Sequence, residues 1–133
     1  MLQDGLVTVR NSHDFNSTLD RLSAALKEKH VTVFASVDHA AGAESVGMTL
    51  RPTTVVIFGN PAAGTPLMQA QQMAGIDLPL KILVWQSANG AVNLTYNDPS
   101  WIAARHALGG RTAQKVTNLT NFLRAVSAQA AGG

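Results

Sequence analysis

Cysteine is absent from all 133 residues. Disulfides, thiol nucleophiles and thiolate metal sites are therefore excluded. Charge is scarce: only 14% of residues are Asp, Glu, Lys or Arg, against 46% hydrophobic. Disorder needs the reverse balance, so a packed domain is expected. Aromatic residues make up only 5% of the chain. Basic residues do not gather into a dense stripe with interleaved aromatics, so no nucleic-acid partner is expected. No apolar run reaches membrane-helix length, and no membrane partner is expected either. Met1-Leu2-Gln3-Asp4 does not read as a signal peptide. The expected location is cytoplasmic, the alternative being a periplasmic or secreted form trimmed of its leader. HxH and HExxH spacings are missing, so no metal site is assigned.

What is present forms one domain over residues 1–133, long enough to bury a core. Net charge is +2 but unevenly divided. Residues 1–79 hold five basic and seven acidic groups, whereas residues 80–133 hold five basic groups against Asp98 alone. Such asymmetry suits an anionic partner or an ordinary solvated face.

Five segments read as strands: Leu6–Arg10, Val31–Val37, Thr54–Phe58, Lys81–Gln86 and Ala91–Tyr96. The last two flank Ala88-Asn89-Gly90, a hairpin signal. Val55–Phe58 is continuously apolar, which predicts burial on both faces. Helical spacing of Phe15, Leu19, Leu22 and Leu26 predicts a helix capped by Asn11-Ser12. A short helix is expected over Ala40–Gly47, and another opens at Asp98-Pro99 and runs to Leu108. Val116, Leu119, Leu123 and Val126 mark a terminal helix, with a frayed tail over Ala130–Gly133. These elements predict an α+β fold, with an antiparallel curved sheet of about five strands and helices mainly on one face.

Most of the polar, chemically useful residues fall where they could converge on the turn after the central strand. Gly59-Asn60-Pro61 follows Phe58, and Gly64 supplies a second free joint. Thr65-Pro66 reads as N-cap and first residue of a helix running to about Gly75. A glycine-rich approach to a helix N-terminus can hold an anion, or can simply build a tight connection.

The stretches FGNPAAGTPLM, IDLPLKILVW and TYNDPSWIAARHAL, with VDHAAGAESVGMTLRPT before them, resemble the family catalogued as domain of unknown function 302. The resemblance spans roughly Val31 to Leu108. Gln86 stands after Trp85 where members often carry an acidic residue, and Gln71-Gln72-Met73 replaces a proline-containing turn. The resemblance implies a TATA-box-binding-protein-like α+β fold and frequent dimers, but no established activity.

The leading expectation is a homodimeric small-ligand-binding domain, a small anionic ligand being one candidate, with its cofactors unknown. The expected pocket lies between the Gly59–Thr65 turn, the Asp38-His39 strand end and the Asp98–His106 helix. Asn60 and Thr65 would orient backbone, Lys81 and Arg105 would pair the anion, and His39 and His106 would confer specificity. Lys81 and Trp85 are four apart and share a sheet face, giving with Tyr96 an aromatic floor and one cation. A second class is an enzyme with His39 or His106 as general base or metal ligand and Asp98 as orienter. A third is a dimeric interaction module without a small-molecule site.

Overall fold

The structure is a computed structural model and describes residues 4–132. Residues 1–3 of the Met1–Asp4 segment, which does not read as a signal peptide, and Gly133 at the end of the tail lie outside those residues.

The strands are β1 (Leu6–Asn11), β2 (Thr32–Asp38), β3 (Thr53–Gly59), β4 (Leu80–Gln86) and β5 (Val92–Asn97). They form one sheet in the order β1-β5-β4-β3-β2, with every neighbouring pair antiparallel. The helices are α1 (Phe15–Glu28), α2 (His39–Ser45), α3 (Pro61–Ala70), α4 (Pro99–Arg105) and α5 (Ala113–Ala130). Short 3-10 segments cover Gln72–Asp77 and Gly110–Thr112. The α+β architecture expected from the sequence is the one observed.

The Asn89-Gly90 signal works as written. Gly90 has φ 89°, its N–H donates to the Ser87 carbonyl at 2.9 Å, and Asn89 Oδ1 accepts from Ala91 N at 3.0 Å. The cap of α1 differs from expectation. β1 extends to Asn11, which pairs with Val92, so the helix cannot begin until the strand has ended. Asp14 is the N-cap and accepts from Ser17 N at 2.7 Å. That backbone hydrogen bond holds the Asp14 carboxyl below its ordinary value.

The core lies between one sheet face and helices α1 and α5. Leu22 and Leu26 of α1 and Leu123 and Val126 of α5 pack with Phe58, Ile82, Val84 and Leu94. Full burial of one such leucine contributes about 1.5–3 kcal/mol. Phe58 meets Phe122 with ring centroids 6.0 Å apart at 54°. Thr54, Val56 and Phe58 point into this core, while Val55 and Ile57 are half-buried on the opposite face. The expected burial of β3 on both faces is therefore corrected: an antiparallel sheet can bury one face fully and leave the other partly wet.

β2 is one of the two edge strands, with β1 at the other edge, and all seven of its residues are exposed. Its pairing with β3 shifts register between Val33 and Ala35. Val33, Phe34 and Val37 stand on this edge at 41–51% exposure.

Candidate functional site

The turn after β3 takes a form the sequence did not suggest. Asn60, not Thr65, is the N-cap: its Oδ1 accepts from Ala62 N at 2.9 Å, and Pro61 takes the first helical position. Thr65 and Pro66 consequently lie inside α3. Proline in a helix interior lacks the N–H that the carbonyl four residues earlier would accept, and here that carbonyl belongs to Ala62. Asn60-Pro61 and Thr65-Pro66 are chemically equivalent cap-plus-proline pairs; the chain uses the first because β3 has ended there. Neither Gly59 nor Gly64 holds a positive φ.

α3 and the strand ends enclose a pocket of about 340 Å³. Phe34 of β2, Leu78, Pro79 and Leu80 before and at β4, Leu119 of α5 and Met68 of α3 supply apolar walls. Asn60 and Thr65 are the polar side chains among its lining residues. No charged side chain of the described residues lines it.

The other expected site residues do not converge there. His39 begins α2, next to Asp38, which pairs with Thr54. Gly59 pairs with Thr32 at the other end of the same ladder, so His39 and the turn lie at opposite ends of β3. Lys81 and Trp85 alternate with the buried Ile82 and Val84 and lie on the sheet face away from α1 and α5. Trp85 Nε1 donates to Thr95 Oγ1 at 2.9 Å, and the Thr95 and Thr8 hydroxyls are 2.9 Å apart. Tyr96 does not share that face. It is buried in the core, and this burial raises its phenol above the ordinary value. The expected floor of Lys81, Trp85 and Tyr96 is thus split across the sheet, because Tyr96 is one residue out of phase with Thr95.

Asp98 caps α4, with Oδ1 accepting from Ser100 N at 2.9 Å and Ser100 Oγ at 2.8 Å. It does not orient His106. α4 ends at Arg105 rather than Leu108, and Ala107 turns the chain with φ 53°. His106 is 8% exposed, and its Nε2 lies 2.6 Å from Asp77 Oδ2. Arg105 Nη1 donates to Asp77 Oδ1 at 3.1 Å and Oδ2 at 3.3 Å. The Arg105 guanidinium also stands 5.6 Å from the Trp101 ring centroid. Asp77, at the end of the 3-10 segment after α3, is the residue that sequence reasoning missed. It is 29 positions from His106, and no local spacing signals the pairing.

A second cleft, of about 620 Å³, opens beside His106. Gln69 and Gln71 from the end of α3 and the Gly109–Thr112 turn, including Arg111, line it. The site residues therefore divide into an apolar pocket with Asn60 and Thr65, and a polar cleft with His106. Among the described residues no group of three or more His, Asp or Glu is placed to hold a metal.

The five-stranded antiparallel sheet with its helical layer defines a class seen in solved structures. The crystal structure of an uncharacterized conserved DUF302 protein from Bacillus stearothermophilus superposes with a TM-score of 0.84. It covers 95% of this chain and 98% of its own at 20% identity, a likeness of fold. The family described as Domain of unknown function DUF302 matches residues 7–126, and the chain belongs to it. The chain is also 42% identical over 132 residues to the fluoride-specific ion channel FluC 1 of Brucella suis biovar 1 (strain 1330), covering 99% of this chain and 52% of that one. The fluoride-specific ion channel FluC 2 of Brucella melitensis biotype 1 is 42% identical over 99% of this chain and 49% of its own. The chain thus spans about half the length of the curated relatives it matches. No helix of the described residues is long and apolar enough to cross a membrane.

Proposed function

We propose that this chain is a small-ligand-binding domain that acts as a homodimer, and that its ligand is a small apolar molecule with one hydrogen-bonding group. The pocket at the start of α3 carries this reading. Its volume of about 340 Å³ lies within the range of small-molecule sites. Apolar walls would supply the affinity, and Thr65 and Asn60 would orient one polar group. An anion there would meet no compensating cation: Arg105 is engaged by Asp77, and Lys81 stands on the far sheet face.

The exposed edge supports the dimer. β2 pairs with β3 on one side only, and the free edge of a strand bearing apolar side chains is a template for pairing with another chain. Val46 and Met48, beyond α2, add 70% and 67% exposed apolar side chains. Phe34 belongs to both features, so a second copy seated on β2 would close one wall of the pocket. The test is a thermal-shift screen of medium-chain alcohols and neutral aromatic metabolites on the wild type and on Gly64→Leu, which fills the pocket from α3. A stabilising compound that loses its effect in the variant is the expected result. Equal stabilisation of both proteins, or none of either, would remove the reading.

The relatives favour a second reading, a cytoplasmic accessory domain working beside a membrane anion channel. It rests on the 42% identity to proteins named fluoride channels, of which this chain matches about half. Cells lacking the chain should show altered growth in fluoride; unchanged tolerance would argue against it.

A further inference from the structure

We infer that the cleft beside His106 is a second site, built for a small oxyanion that carries a hydroxyl group. The His106 imidazole is 8% exposed and carries two ring nitrogens that need partners. Its Nε2 is 2.6 Å from Asp77 Oδ2. A carboxylate only accepts, so Nε2 bears the hydrogen and donates. In the neutral ring Nδ1 is then left with a lone pair.

Two further features fix this arrangement. Asp77 is held from its other side by Arg105 Nη1, at 3.1 and 3.3 Å, and Arg105 in turn lies over Trp101. The carboxylate that sets the tautomer therefore has a second partner of its own. No hydrogen bond to Nδ1 is found among the described residues, and no fully buried polar side-chain atom there is left unpaired. Nδ1 consequently reaches solvent, and His106 lines the cleft. An acceptor in this position calls for a donor from outside the chain.

The rest of the cleft supplies the charge preference. Arg111 is the charged side chain among its lining residues. Its guanidinium selects an anion and offers paired donors to an oxyanion. The complementary ligand accepts from Arg111 and donates to Nδ1. Hydrogen phosphate and 2-hydroxycarboxylates meet both demands, whereas sulfate and simple carboxylates meet only the first. With a cleft volume of about 620 Å³ there is room for such a group on a larger molecule. This site is separate from the apolar pocket and does not depend on it.

The discriminating experiment compares matched anions by imidazole and guanidinium NMR at about pH 8. Inorganic phosphate there retains one O–H, and sulfate has none; glycolate and acetate form a second pair. The wild-type His106 ring should show the Nε2–H tautomer. Phosphate or glycolate should shift the His106 and Arg111 signals saturably, at least about tenfold more tightly than its partner lacking the hydroxyl, because sulfate or acetate would leave two acceptors facing each other. Arg111→Gln should weaken both members of a pair by the same factor and leave the preference intact. Asp77→Asn should collapse the preference, since it releases the tautomer. Asp77→Asn can also fail to fold, but the ring tautomer and the Arg111→Gln result stand without it. Equal binding within both pairs, absence of saturable shifts at His106, or unchanged binding in Arg111→Gln would each overturn the inference.

Discussion

Replacing Gly64 by alanine should stabilise this protein, although the sequence reads Gly64 as a free joint whose loss would be harmful. The harmful outcome requires a positive φ, which Gly64 does not have. It sits inside α3, where glycine is about 1 kcal/mol less favourable than alanine because it gives up more backbone freedom on folding. A methyl placed there meets Leu78 Cδ1 at 3.8 Å and Met68 Cε at 3.9 Å, which is ordinary van der Waals contact. No steric cost opposes the gain in helix propensity. The expected gain is about 1 kcal/mol, or a rise in Tm of about 3–5 °C for a domain of this size. Urea denaturation should show a higher midpoint with an unchanged slope. A lower midpoint would refute the reasoning, as it would mean that the α3 backbone at Gly64 is not helical in solution. A changed slope would show instead that the substitution alters the denatured state.

Gly59→Ala makes a contrasting case: its new methyl would lie 3.2 Å from Phe34 Cε2, so stability should change by no more than about 1 kcal/mol if the exposed Phe34 ring swings aside, as equilibrium unfolding would reveal. Asn60→Ala removes the α3 cap and should cost about 0.5–2 kcal/mol in the same assay; an unchanged midpoint would mean that the cap is dispensable. Phe34→Arg should convert a dimer to a monomer in light scattering at tens of micromolar, and a dimeric variant would place the interface elsewhere than β2. Burial raises the Tyr96 phenol, so folding is favoured while the phenol stays protonated, and that contribution is lost as pH rises through the folded value, above about 10. Wild-type protein should therefore lose more stability than Tyr96→Phe between mildly and strongly alkaline buffers, and parallel losses would contradict the assignment.

Local chemistry determined the elements. Apolar patterns, alternating or continuous, gave the five strands to within one residue at each end. Asn89-Gly90 gave the hairpin, because Gly90 takes the left-handed φ of 89° that the turn needs without help from distant residues. Asp98-Pro99 gave the start of α4 for the same reason. The terminal helix stripe named its own core residues, Leu119, Leu123 and Val126.

Tertiary structure decided what the local signals left degenerate. Asn60-Pro61 and Thr65-Pro66 carry the same capping signal, and only the end of β3 selects between them. Lys81, Trp85 and Tyr96 are close along two paired strands, yet sheet phase sends Tyr96 into the core and the other two to the opposite face. His106 was visible as a candidate, but its partner was not: Asp77 approaches it only because the segment after α3 packs beside the end of α4. A sequence records each residue's chemistry and its local period. Which carboxylate meets which imidazole depends on long-range packing, and that is written only in the folded chain.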